Sequence, residues 1–423
     1  MNSTDLLPRI GRVLFVFFFI FDLQPGFWEI GSSAIITLIG FLYILAKMRF
    51  AAKVNSTEIL SMALTLPAIF QCYFQAEVNN SDAYLIGSLY LKTLIYCTIS
   101  ASTFSIIFLQ NGKSPKYSIP AVLDALVLAF AVQAFFVLIS FTSEAFRDVV
   151  DFVLEAKGNL SGLESFRVRG FTNSGGANLS MAMAIVGFIS LYLFLEYRKI
   201  IYGLTTFLVV ISALFIGRSG VVGFTLFSIP LIVVAITCRC ISISTATKGL
   251  IFIILIISLI TILSYQLDEN SILLWWNWFY GEASDSAIDL WSMYFHTFTM
   301  HDIFLGKGFF EEPIDGHERS DSGYIKALLS VGAPAAMLFY FGLMVRYVNG
   351  ALLFIRYSSD KILSGTFCLA LLLMALFFEA KEAMLYQNYT GRILLFLFIL
   401  FLNISLYSRL QRYPAGSPKH SLA

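Results

Sequence analysis

The chain has 423 residues, of which 58% are hydrophobic and only 13% are charged, and its mean hydropathy is +0.79. These values exclude an ordinary soluble domain and indicate a protein that crosses a membrane several times. The formal net charge of +1 gives no reason to expect a nucleic-acid partner. We therefore expect a single integral membrane domain over residues 1–423.

Apolar runs long enough to cross a bilayer follow one another along nearly the whole chain. A helix needs about 20 mainly apolar residues for this, and strand-type alternation is absent, so the pattern predicts an all-α polytopic membrane protein. The first run lacks a small-residue cleavage site, and we interpret it as a retained span and not as a signal peptide. Twelve spans are predicted, near residues 13–28, 30–48, 57–76, 83–109, 117–143, 177–196, 200–216, 220–237, 248–266, 322–345, 361–379 and 392–408.

Basic residues predict the orientation of these spans. With the N-terminus cytoplasmic, most Lys and Arg residues fall in the inner segments, whereas the short outer loops hold only Arg218, Lys381 and Arg392. This distribution follows the positive-inside rule, so both termini are predicted to be cytoplasmic. Arg218 in "LFIGRSGVV" then lies on the side that short loops usually keep free of basic residues.

Two outer loops are predicted to be long, 144–176 and 267–321, and long loops in compact proteins tend to be functional. In the first loop, apolar residues at helical spacing from Phe146 to Leu154 predict an amphipathic helix on the membrane surface. The motif "RVRGFTNSGGAN" follows, and its glycine-rich turn before a helix favours an anion. Alternatively, its arginines bind lipid headgroups. The candidate residues are Arg167, Arg169, Asn173 and Asn178.

The second loop starts with an aromatic cluster, "LLWWNWFYG", which is typical of a membrane interface. It ends with "HERSDSGY", where His317, Arg319, Asp321 and Tyr324 lie at the entrance of a span. An imidazole, a carboxylate and a guanidinium so close together combine proton transfer with anion binding. The alternative is a solvated loop in which Asp321 or Ser322 caps the following helix.

Further charged residues lie within or between the spans. Lys92 either snorkels towards the membrane surface or lines a polar cavity, and Asp124 has no obvious partner. The segment "FEAKEAMLYQNYTGR" between the last two spans offers Glu379 or Glu382 as a carboxylate for the same outer site, with headgroup contacts as the alternative for its other polar residues.

The order of these motifs resembles that of the O-antigen polymerase and ligase superfamily of bacterial envelope glycosyltransferases. "RVRGFTNSGGANL" is similar to the family's first outer motif and "GRSG" to its second. "DLWSMYFHTFTMHDIFLGKGF" followed by "HERSDSGYIKALLSVGAPAAMLFYFGL" resembles the third. The resemblance covers about residues 167–345 in detail. The first motif departs from the family pattern. It offers two arginines for one role and two asparagines for another.

This resemblance implies an O-antigen polymerase acting at the periplasmic face of the bacterial inner membrane. The donor would be an oligosaccharide on undecaprenyl diphosphate, with membrane lipids and a chain-length regulator as further candidate partners. No cofactor or metal is implied, because arginines take over charge stabilisation where no Asp-x-Asp motif exists. Arg218 with Arg167 or Arg169 would grip the diphosphate, supported by Asn173 or Asn178, Arg319 and Tyr324. His317 is the first candidate for the base, with Asp321 and Glu382 as alternatives.

Two other functions remain as alternatives. A ligase would transfer finished glycan to a lipid A core, but "SDSGYIKALLSVG" looks closer to the polymerases. A polysaccharide flippase, or another transporter with twelve spans, would be expected to carry charges inside its spans along a path. In this sequence the ionisable residues gather in the outer loops, with Lys92 and Asp124 as the main exceptions.

Overall fold

The chain folds into a bundle of helices. The computed structural model describes residues 6–26, 28, 30–47, 56–109, 115–154, 168–173, 175–238, 299–309 and 321–412. Thirteen helices form within these ranges: α1 (Leu6–Phe21), α2 (Ser32–Lys47), α3 (Ser56–Asn79), α4 (Tyr84–Leu109), α5 (Pro115–Thr142), α6 (Glu144–Val153), α7 (Ala177–Tyr197), α8 (Ile200–Ile216), α9 (Arg218–Thr237), α10 (Met300–Leu305), α11 (Gly323–Tyr357), α12 (Lys361–Lys381) and α13 (Asn388–Arg412).

Seven of these helices are long and apolar enough to cross a membrane, namely α3, α4, α5, α7, α9, α11 and α12. Shorter apolar helices form in α2, α8 and α13. The described residues therefore confirm the class of an all-α, multi-pass membrane protein. The count of twelve spans and their orientation stay predictions, and the run 248–266 lies outside the described residues.

Several helix ends differ from the predicted spans, among them the start of α1 at Leu6, ahead of the predicted residue 13. α1 ends at Phe21, earlier than the predicted limit of residue 28, because Asp22 adopts a left-handed conformation with φ of 46° and Pro25 follows. α11 continues to Tyr357, beyond the predicted limit of residue 345. This long helix is broken at Gly332, whose φ of 76° favours glycine.

The break in α11 is filled by the turn after α10. The N–H groups of Lys307 and Gly308 donate to the carbonyl of Leu329 at 2.7 and 2.9 Å, and Gly306 lies directly against the backbone of the break. Helix breaks at membrane depth are tolerated where other protein groups satisfy the freed backbone atoms. The segment "GKG" after α10 thus provides the hydrogen-bond donors for the Leu329 carbonyl at the break in α11.

α7 is the most deeply buried of the long helices. Small residues let its neighbours approach closely, as is usual where helices pack in membranes. Gly187 leaves room for Val210 of α8, since a Cβ atom there would lie 2.9 Å from that side chain. Gly220 of α9 lies so close to the carbonyl of Ser180 that a side chain at this position would overlap it.

We use "site end" for the end of the bundle at which α7, α9 and α11 begin and α12 ends. Near the opposite end, the fully buried Arg346 pairs with Glu58, at 2.7 Å between Nη2 and Oε2, and its Nη1 donates to the Tyr90 hydroxyl at 3.0 Å. Arg9 and Asp124 form a second pair there, at 2.9 Å. Asp124 therefore has a partner that the sequence did not reveal.

The Arg346 pair predicts a large loss of stability when one partner is removed. Glu58→Ala leaves a buried guanidinium without its carboxylate, and we expect the free energy of unfolding to fall by about 3 kcal/mol in detergent solution. Glu77→Ala, at an exposed position of the same helix, should change this free energy by less than about 0.5 kcal/mol. Equal effects of the two substitutions would show that the buried pair contributes nothing to stability.

Candidate functional site

The first turns of α7 and α9 lie side by side at the site end. Gly217 precedes α9, and a Cβ atom placed there would lie 3.2 Å from the Cβ of Ser180 and 3.6 Å from the Cα of Ala177. The Ser180 hydroxyl lies 3.1 Å from the Ala213 carbonyl oxygen and 2.5 Å from that of Gly217. The turn that carries Arg218 is therefore held against the start of α7.

Both helices begin at a glycine, Gly176 for α7 and Gly217 for α9, and neither has a side-chain cap. The first N–H groups of a helix have no partner within the helix, and they carry the positive end of its dipole. Two such ends lie next to each other, and Arg218 is the first residue of α9, which favours an anion. The C-terminal end of α8, whose C-cap is also Gly217, brings negative partial charge to the same place.

Arg169 lies in the segment beside this region. The N–H of Val168 donates to the Phe215 carbonyl at 3.3 Å, which places the segment along the end of α8. The Arg169 guanidinium is largely buried, forms an ion pair with Asp151 of α6, and donates to the Asn173 carbonyl at 3.4 Å. Arg169 is thus part of the site end, with its orientation fixed by α6.

The two candidate asparagines have different surroundings. Asn173 accepts from the N–H of Gln24 at 2.7 Å and donates to its carbonyl at 2.6 Å, so its amide ties this segment to the turn between α1 and α2. Asn178 lies in the first turn of α7, and its Oδ1 is buried without a hydrogen-bond partner. An amide oxygen in this position needs a donor, such as a hydroxyl group.

The end of α12 brings the carboxylate of Glu382 to the end of the bundle at which α9 begins. Gly223 of α9 lies directly against the ring of Phe378, and α9 and α12 run in opposite directions. The start of α9, at Arg218, therefore lies at the level of the end of α12. Glu382 is the C-cap residue of α12, and its N–H donates to the Phe378 carbonyl at 3.0 Å.

The start of α11 supplies two more of the predicted residues. Ser322 occupies its N-cap position, as one alternative predicted, but its side chain makes no capping hydrogen bond, and Asp321 precedes it. Tyr324 donates from its hydroxyl to the Leu376 carbonyl at 2.9 Å, which ties the first turn of α11 to α12. The structure therefore brings Asp321, Tyr324 and Glu382 to one end of the bundle. Arg167, His317 and Arg319 lie outside the described residues.

The sequence analysis named Glu379 as a candidate carboxylate of the outer site, but it did not predict the buried polar cluster that Glu379 forms behind these residues. Glu379 is fully buried, accepts from the N–H groups of Met384 and Leu385 at 2.6 and 2.8 Å, and lies 2.6 Å from the Tyr340 hydroxyl. Lys326, which is also buried, attracts it electrostatically. Lys326, one turn inside the predicted span 322–345, is the feature of the sequence that could have indicated this cluster.

A second ion pair at the site end was also missed. Arg392 donates to Asp22 at 2.8 Å, and the same carboxylate accepts from the N–H and hydroxyl of Ser33, at the start of α2. Burial opposes the charge of Asp22, but Arg392 and Ser33 together lower the pKa of its carboxyl to about 2. This pair joins α1, α2 and α13, a structural role in place of the predicted headgroup contact.

Within the described ranges, no three His, Cys, Asp or Glu side chains lie together as a metal site requires. Comparison of the chain with family models, with curated proteins and with solved structures finds no match. The case for any function therefore depends on the geometry of the site end and on the motifs in the sequence.

The close approach of α7 and α9 generates a prediction about glycine. Gly220→Ala places a methyl group against the Ser180 carbonyl, and we expect it to lower the free energy of unfolding by about 1–3 kcal/mol. Gly365→Ala in α12 is the matched control, because no atom lies within 4 Å of its Cβ position. The control should leave stability unchanged or raise it by up to about 1 kcal/mol. Equal thermal midpoints would contradict the close contact.

Proposed function

We propose that the protein is an O-antigen polymerase, a metal-independent glycosyltransferase that joins oligosaccharide repeat units carried on undecaprenyl diphosphate. The site end would face the periplasm from the inner membrane. The observation that carries this proposal is the pairing of two uncapped helix starts, α7 and α9, with Arg218 on one of them and Arg169 beside them. The sequence motifs that resemble the polymerase family fall on these same segments.

The chemistry of glycosyl transfer from a diphosphate explains why cations and helix starts would be gathered here. As the anomeric bond breaks, negative charge grows on the diphosphate leaving group. Preorganised donors stabilise that charge most effectively, and a guanidinium binds phosphate oxygens through two parallel hydrogen bonds. Arg218 and Arg169 would bind the diphosphate, while Asn178 would accept from a sugar hydroxyl of the donor.

The reaction also needs a base for the acceptor hydroxyl. Asp321 and Glu382 lie at the site end on segments joined through α12, and both are partly exposed, so a substrate can reach them. His317 precedes Asp321 by four residues and stays the first candidate from the sequence. With single displacement, the base would take the proton from the acceptor oxygen as this oxygen forms the new bond to the anomeric carbon.

Glycan profiling of a deletion strain tests the proposed function. Loss of a polymerase leaves single repeat units on the lipid A core, whereas loss of a ligase leaves the core undecorated. Accumulation of donor on the cytoplasmic leaflet would indicate a flippase. Restoration of a full glycan ladder by the wild-type gene is the control, and any pattern other than single repeat units contradicts the proposal.

Arg218→Lys is predicted to abolish most polymerisation while the protein still inserts and accumulates. A lysine keeps the charge but cannot reproduce the two parallel hydrogen bonds of a guanidinium. Arg356→Lys is the control, since Arg356 is an exposed arginine near the far end of α11. Glycan ladders of the complemented strain are the measurement. A normal ladder from Arg218→Ala would show that this arginine does not bind the donor.

The base is identified by measuring donor binding and polymer formation separately with purified protein. We expect His317→Ala to bind lipid-linked repeat units normally and to form polymer roughly 10²- to 10⁴-fold more slowly. A near wild-type rate would exclude His317, and the same assay on Asp321→Asn and Glu382→Gln would then decide between the two carboxylates. Loss of donor binding by His317→Ala would instead place this residue beside the diphosphate.

A further inference from the structure

Glu379 lies where the two segments that carry the candidate carboxylates meet. It precedes the end of α12 by two residues, and Gly323, the first residue of α11, lies directly against its carboxyl group. A Cβ atom at Gly323 would overlap the Glu379 Oε1 atom and would lie 2.9 Å from the Cα of Ala383. The missing side chain of Gly323 therefore makes room for the carboxyl between α11 and the turn after α12.

The hydrogen bonds of Glu379 join three parts of the chain. Oε2 accepts from Met384 and Leu385 and so closes the turn after α12 onto the helix end. Oε1 lies 2.6 Å from the hydroxyl of Tyr340, which itself lies 3.0 Å from the carbonyl of Gly323. One carboxyl group thus connects the turn next to Glu382 with both the start and the middle of α11.

Glu379 cannot itself be the base of the reaction. Its side chain is fully buried behind Gly323 and Tyr340, and both carboxyl oxygens are already engaged, so no acceptor hydroxyl can contact it. Glu382, three residues further along the chain, is in contrast a partly exposed candidate.

We propose that Glu379 is a positioning residue, whose buried carboxyl fixes the turn carrying Glu382 against the start of α11 and thereby sets the geometry of the candidate carboxylates relative to Arg218. This inference rests on the proposed function for its consequence in catalysis. Phe378, the residue before Glu379, lies against Gly223 of α9. The position of the same turn is therefore also fixed relative to α9, which begins at Arg218.

Two substitutions of Glu379 distinguish a positioning role from a requirement for its negative charge. In Glu379→Gln, the amide oxygen can accept from Met384 and Leu385, while the amide N–H donates to Tyr340, whose hydroxyl then donates to Gly323. The geometry is therefore conserved without the charge. In Glu379→Ala, the two N–H groups and the Tyr340 hydroxyl lose this partner, and the turn is released.

The first measurement reports on the turn and needs no activity. Met384 is fully buried, and cysteine is smaller, so Met384→Cys should be protected from a membrane-impermeant maleimide. We expect Glu379→Ala to raise labelling in this background and Glu379→Gln to leave it low, with the chain that retains Met384 as the blank. Equal protection in the Ala and Gln variants contradicts the proposal.

The second measurement is the rate of polymer formation with purified protein and lipid-linked repeat units. We expect Glu379→Ala to lower kcat by about 10²-fold with little change in donor KM, because the reacting groups are misplaced while Arg169 and Arg218 still bind the donor. Glu379→Gln should recover most of the turnover. If Glu379→Gln is as slow as Glu379→Ala but fully protected from labelling, the negative charge is required and the positioning role is wrong. Wild-type turnover in Glu379→Ala would also contradict the positioning role.

Failure of the proposed function is distinguishable from failure of this inference. If the wild-type protein leaves lipid-linked repeat units unjoined, the polymerase assignment is wrong, and the catalytic consequence of Glu379 falls with it. The maleimide experiment still decides whether the Glu379 carboxyl holds the turn. If joining occurs and only the labelling or the Gln recovery fails, the polymerase assignment stands and the positioning role is wrong.

Discussion

The site end depends on the close backbone contact between α7 and α9. Because Gly220 lies against the Ser180 carbonyl and Gly217 against Ala177 and the small side chain of Ser180, two helix starts are brought together. A larger residue at either glycine would separate the helices and the positive ends of their dipoles. This contact therefore places Arg218, the first residue of α9, beside the first turn of α7.

Buried polar groups extend this arrangement to the rest of the bundle. Glu379 joins α11 to the turn after α12, and the pair of Asp22 with Arg392 joins α1 and α2 to α13. Asn173 ties the segment before α7 to the turn after α1. Unpaired polar groups are costly in an apolar interior, so these satisfied contacts fix the relative positions of helices whose apolar faces alone specify little.

The sequence predicted the all-α, multi-pass class because apolar runs of spanning length leave the chain few alternatives, whereas the count of twelve spans stays a prediction. It also predicted that Arg169, Asn178, Arg218, Asp321 and Glu382 lie at one end. It could not predict which polar residues are buried, since pairing depends on helix contacts between distant segments. Arg346 directly follows the predicted span 322–345 but is buried against Glu58, and Lys326 lies buried within an apolar motif. The argument that ionisable residues avoid the spans was therefore incomplete.

The most direct test of this account is the affinity of the purified protein for undecaprenyl diphosphate, measured by native mass spectrometry against undecaprenyl monophosphate. The account predicts that the wild-type protein prefers the diphosphate, and that the double variant Arg169→Ala, Arg218→Ala binds it roughly 10- to 100-fold more weakly and loses this preference. Equal affinity of the wild-type protein and the double variant for the diphosphate would contradict the account.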